Sequence, residues 1–114
     1  MITIHNNEEP LYKLAKEIHE NAVAHGWWDE ERNLLEIVAL CHSELSEAVE
    51  EYRAGRPMAW ANDDGKPEGI ATEMADCLIR ILDWFGHEGL DVDEIVRQKM
   101  AYNRGRPYKH GKKC

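Results

Sequence analysis

Two pairs of acids in the sequence have the spacing for metal chemistry. Glu44 and Glu47 lie in HSELSEAVEEYR (residues 42–53), and Glu73 and Asp76 lie in GIATEMADCLIRILDWFG (residues 69–86). Residues three apart on a helix are surface neighbours, so each pair can present two carboxylates together. At about 100° per residue, each pair borders the apolar stripe of its own helix, and on the same side of it. Packing the two stripes antiparallel would bring four carboxylates to one edge of the core. Carboxylates so placed repel one another unless they are protonated or bridged by cations. An all-oxygen set suits Mg²⁺ or Mn²⁺, whereas zinc favours cysteine or histidine. The same three-residue spacing recurs at Glu17/Glu20, Glu47/Glu50 and Asp91/Glu94, where solvated surface is the ordinary outcome.

The elements that must position these acids are helices. Apolar periodicity predicts a first helix from about Glu8 to His25, with Pro10 in its opening turn and Gly26 at its end. A second is expected from about Asp29 to Ala54, stopped by Gly55 and Pro57. Residues 55–69, GRPMAWANDDGKPEG, read as irregular. The third helix then runs to about Phe85, stopped by Gly86; the fourth is opened by an Asp91/Glu94 capping box and reaches about Asn103. The pattern contains no convincing strand, no repeat and no second domain. The expected fold is all-α, an antiparallel four-helix bundle in one domain over residues 1–114, with an irregular basic tail at 104–114.

The chain has 114 residues, 43% of them apolar, enough for one packed core. Fourteen basic against twenty-two acidic side chains give a net charge of −8. That balance argues against broad binding to nucleic-acid backbones, which needs a basic surface. No apolar run approaches the roughly 18 residues of a membrane span. The opening stretch lacks a basic-then-apolar secretory layout, so a cytoplasmic location is expected. Cys41, Cys77 and Cys114 form no CxxC motif; the first two fall in apolar helical patterns and read as reduced core thiols.

Glu44-x-x-Glu47, twenty-five residues, then Glu73-x-x-Asp76 resembles the ExxE…ExxD signature of the MazG-like, all-α nucleoside triphosphate pyrophosphohydrolases. RNLLEIVALCHSELSEAVEEYR (32–53) is similar to the family's second core helix, and KMAYNRGRPYKHG (99–111) to the Lys-x-x-x-Asn-x-x-Arg ending of several members. The resemblance covers about residues 25–111. It implies hydrolysis of a (deoxy)nucleoside triphosphate between its α- and β-phosphates, giving monophosphate and pyrophosphate, as nucleotide-pool house-cleaning. It also implies Glu44, Glu47, Glu73 and Asp76 as ligands of Mg²⁺ or Mn²⁺, and a homodimer or homotetramer. Some members carry a further acid just before the first motif glutamate; this chain has Ser43 there, which bears on any mechanism needing a base at that position.

In the same resemblance Lys99 and Asn103, one helical turn apart, and Arg106 reach the triphosphate. Arg80, one turn past Asp76, could meet a phosphate or pair with a neighbouring carboxylate. Arg104, Arg106, Lys109 and Lys112 could close over the pyrophosphate, or simply form a basic tail. Of the four tryptophans, Trp84 suits the core, whereas Trp28 and Trp60 are candidates for stacking on the base. Among the histidines, His25 is a candidate pocket residue and His42 a structural one. The expected partner is a small-molecule (d)NTP, with neither nucleic acid nor membrane. The competing reading is a helical nucleotide-binding or regulatory protein without turnover.

Overall fold

The computed structural model describes residues 9–112, and side chains within them except those of 110 and 111. Glu8, where the sequence pattern begins the first helix, and Cys114 lie outside the described residues. Among the described residues four helices dominate: α1 (Pro10–Ala24), α2 (Leu34–Arg53), α3 (Ile70–Glu88) and α4 (Val92–Arg104). The fold is all-α. No helix among the described residues is long and apolar enough to cross a membrane.

The boundaries differ from the expected ones where a side chain or a packing contact overrides periodicity. Helix α2 starts at Leu34 rather than near Asp29, because the Asn33 side chain accepts the Glu36 N–H at 3.0 Å and fixes the cap there. Residues 25–33 are instead turns, bends and irregular chain. Gly86 does not stop α3; the helix continues to Glu88 and ends at Gly89, whose left-handed φ of 69° closes the last turn. The segment expected to be irregular contains a two-residue antiparallel ribbon, β1 (Trp60–Ala61) paired with β2 (Pro67–Glu68). Strands this short carry no alternation to read. Its turn is tied by Asn62, whose side-chain oxygen accepts the N–H groups of Asp64 and Lys66. The tail is not wholly irregular either: α4 includes Arg104, and Tyr108–Gly111 form a 3₁₀ turn.

Helix α3 is the centre of the fold. Ala15 lies against Gly86, His19 against Asp83, and Ala22 with Ile79, so α1 runs antiparallel to α3. Ile37 lies with Asp83, Cys41 with Cys77, and Tyr52 with Ile70, so α2 is antiparallel to α3 as well. The buried core joins Ala15, Leu82 and Val92, flanked by Leu11, Ile18 and Phe85, and so belongs to α1, α3 and the start of α4. Helix α2 contributes little to it: only Ile37, Glu44 and Ala48 are buried there. Leu34, Leu35, Val38, Leu45, Val49 and Tyr52 on α2, and Met74, Leu78 and Ile81 on α3, remain largely exposed. The Cα radius of gyration is 17.0 Å, against about 13 Å for a compact domain of this length. Within one chain the helices therefore form an open layer around α3 rather than a closed bundle.

Helix α1 has no side-chain cap from Glu9. Its cap comes from across the fold: the buried Asp93 of α4 accepts the Leu11 N–H at 3.2 Å and the Tyr12 N–H at 2.7 Å. A carboxylate here satisfies two orphan donors and faces the positive end of the helix. Asp93→Ala leaves both donors in a desolvated place, so a loss of about 1–3 kcal/mol is expected. Urea unfolding checks this; an unchanged midpoint would show that the cap contributes nothing.

Candidate metal centre

Helices α2 and α3 bring three of the four acids together. Glu44, Glu47 and Glu73 each offer a carboxylate oxygen, all within 4.8 Å of one another. Glu44 is 7% exposed. It is held by Arg80, whose Nε and Nη2 both lie 3.0 Å from its Oε1. Of the two roles open to Arg80 on sequence, carboxylate pairing is the one present. Asp76 stands outside the three-acid group, yet close enough that its charge acts on Glu73 and the charge of Glu44 acts on it.

The electrostatics are those of crowded acids. Burial, then the charges of Glu47, Asp76, Glu44 and Glu68, push the Glu73 carboxyl up to about 7. Burial and Glu44 also raise Asp76, opposed by Arg80 and Lys66. Glu73 Oε2 is buried without a hydrogen-bond partner. Such an orphan normally calls for a cation, a proton or water. Glu68 of the ribbon and Lys66 of its turn, paired at 3.4 Å, edge this cluster, and periodicity gives no hint of them.

Beside the acids opens a cavity of about 270 Å³, walled by α1, α3 and the 25–33 connection. Glu44, Asp76 and Arg80 border it, as do Trp27, Arg32 and Asp83. The sequence reading missed these last three. Asp83 was legible in principle, lying two turns from Asp76 on the same face of α3. Trp27 and Arg32 sit in non-periodic chain, where spacing says nothing about direction.

The structure engages Trp28 elsewhere. Its Nε1 donates to both Asp83 oxygens at 3.1 and 3.0 Å, and its ring stacks on His87 at 4.0 Å. Trp60 likewise donates to Glu51 Oε1 at 3.0 Å, with the Arg56 guanidinium 5.6 Å from its ring. Its hydrogen bond is the first cause holding the Glu51 carboxyl below its ordinary value. His25 is exposed and bonds its own helix through the Asn21 carbonyl oxygen at 2.8 Å.

Lys99, Asn103 and Arg106 do not line the cavity. Lys99 and Arg106 flank the Tyr102 ring, at 5.2 and 5.6 Å from its centroid. Asn103 Oδ1 is buried without a partner. The reason is docking: α4 packs on α1, and helical register within α4 could not reveal that. Cys41 and Cys77 are free thiols between α2 and α3, and burial and Cys77 raise Cys41. No protein-family model matches the chain, and neither the curated proteins nor the solved structures contain a match to it.

Proposed function

We propose that the protein is a divalent-cation-dependent hydrolase of (deoxy)nucleoside triphosphates that cuts between the α- and β-phosphates. The observation that carries this reading is the convergence of Glu44, Glu47 and Glu73 oxygens within 4.8 Å, one buried oxygen of Glu73 being left without a partner. Oxygen-only donors suit Mg²⁺ or Mn²⁺. Glu44, Glu47, Glu73 and Asp76 would hold the ion or ions. Bound there, a divalent ion neutralises phosphate oxygens and lowers the pKa of an attacking water.

The chain's own residues supply the rest. Arg80 fixes the orientation of Glu44 and adds a positive charge at the cavity border. Trp27, 60% exposed, offers an indole face where a base can lie. The choice of scissile bond rests on the ExxE…ExxD resemblance. Lys99, Asn103 and Arg106 would reach a phosphate only through a rearrangement of α4 or from a second copy. The exposed apolar side chains of α2 and α3 support a homodimer or homotetramer, which sedimentation of the same preparation tests.

Pyrophosphate release from a panel of NTPs and dNTPs, with Mg²⁺, Mn²⁺ or EDTA, tests the activity. Matching monophosphate and pyrophosphate, abolished by EDTA, is the expected result. Glu47→Gln and Asp76→Asn are each expected to lower turnover at least 100-fold with helicity retained. Full activity in either variant would remove it from the ligand set; orthophosphate as the product would mean a different bond is cut. No product from any nucleotide would leave a binding protein.

A further inference from the structure

The Trp27–Arg32 wall of the cavity has a chemical character that bears on substrate choice. Arg32 lies in an acid-rich stretch, among Asp29, Glu30, Glu31 and Glu36. Among the described residues it nevertheless forms no ion pair with a carboxylate. Its guanidinium is instead held over two indoles, 5.9 Å from the Trp27 ring centre and 5.7 Å from that of Trp28. It is half-buried and borders the cavity. A guanidinium so placed offers donors and no acceptor to whatever enters the cavity.

Two of the carboxylates around the same cavity already have partners. The Asp83 carboxylate receives Trp28 Nε1 on both oxygens and lies 2.8 Å from His19 Nδ1 on one. Glu44 is taken by Arg80, and Asp76 is assigned to the cation in the proposed site. Asn21 can donate or accept. A base seated in the cavity therefore meets the Arg32 guanidinium as a donor on its wall. A carbonyl oxygen accepts from Arg32; an exocyclic amino group puts donor against donor.

Resting on the hydrolase reading, we propose that Arg32 is a specificity-determining residue. The cavity takes nucleotides whose base carries a carbonyl oxygen where adenine and cytosine carry an amino group. Uracil, thymine, guanine and hypoxanthine belong to this class. Two pairs of nearly isosteric substrates isolate the effect: dITP against dATP, and dUTP against dCTP. Size, stacking area and triphosphate are the same within each pair.

The experiment measures kcat/KM for pyrophosphate release from these four nucleotides with the wild type, Arg32→Gln and Arg32→Lys. In the wild type the keto member of each pair is expected to lead by about tenfold or more. In Arg32→Gln, whose side chain can donate or accept, the gap is expected to close to about threefold or less. Arg32→Lys, which keeps the charge but loses the planar fork, is expected to fall between them. Wild-type preference for dATP and dCTP, or equal rates within each pair, would overturn the proposal while leaving the hydrolase reading intact. So would a uniform loss on all four substrates in Arg32→Gln, which would assign the residue to the phosphates. Pyrophosphate from none of the four would overturn the hydrolase reading, and this inference with it.

Discussion

Glu73→Gln is expected to make the metal-free protein more stable at pH 8 while removing its metal-dependent turnover. The carboxyl has an ordinary value of 4.5 and stands at about 7 in the fold. Below about 4.5, folded and unfolded chains both carry the proton, and the protonated site contributes its full stability. Between the two values the unfolded chain releases its proton while the folded chain keeps it, so stability falls as pH rises. Above about 7 that contribution is gone, and the folded state holds a charge that Glu47, Asp76 and Glu44 repel.

At about 1.4 kcal/mol per unit, discounted for solvent screening, the loss is about 2 kcal/mol. For a chain of this size that is roughly 10 °C in Tm. Glutamine cannot ionise, and its amide can donate to the neighbouring carboxylates. The variant should therefore melt higher than the wild type at pH 8 in EDTA and show a flatter Tm between pH 5 and 8. Mg²⁺ should raise the wild-type Tm at pH 8 and have little effect on the variant, because a ligand charge is missing. Pyrophosphate release should fall at least 100-fold. Thermal scans over pH, with EDTA or Mg²⁺, separate the arms. A variant that melts lower than the wild type at pH 8 would mean that Glu73 is satisfied without a cation.

Gly86→Ala is expected to be the most damaging small substitution in the α1–α3 interface. In an exposed helix interior the change would favour helix by about 1 kcal/mol. Here the added Cβ would lie 2.6 Å from the Ala15 carbonyl oxygen and 2.6 Å from the His19 Cβ. The first is backbone, so the helices themselves must separate. A net loss of about 2–4 kcal/mol is expected, read as a lower urea midpoint. Ile18, Asn21 and Ala22 would move with α1, and they wall the cavity, so KM should rise in whatever fraction stays folded. Wild-type stability would show that α1 yields there without penalty.

Gly86 also marks how far the sequence was legible. A glycine near the end of an apolar pattern ordinarily stops a helix, and Gly89, with its positive φ, performs that role here. Distinguishing the two requires knowing that α1 crosses α3 at Gly86, which is a tertiary fact. The acidic pairs were readable because spacing and stripe are both properties of a single helix. Their convergence then needed only an antiparallel packing of α2 on α3. Trp27 and Arg32 were not readable, because the fold of residues 25–33 decides which of two adjacent tryptophans faces the cavity. Lys99 and Asn103 share a helix face as expected, but where that face docks depends on Asp93 and Val92.

The Asp93 cap ties the beginning of the fold to its end. Its bonds to Leu11 and Tyr12 span 82 and 81 positions in sequence. A growing chain therefore makes α1 long before the residue that completes it exists. Until α4 has left the ribosome, α1 has two open donors at its start and lacks Val92 against its core face. Contacts of such separation form late because the loop they close must be ordered first. Helix α1 is thus made early and secured late, and a nascent chain that stalls before Asp93 holds α1 by α3 alone.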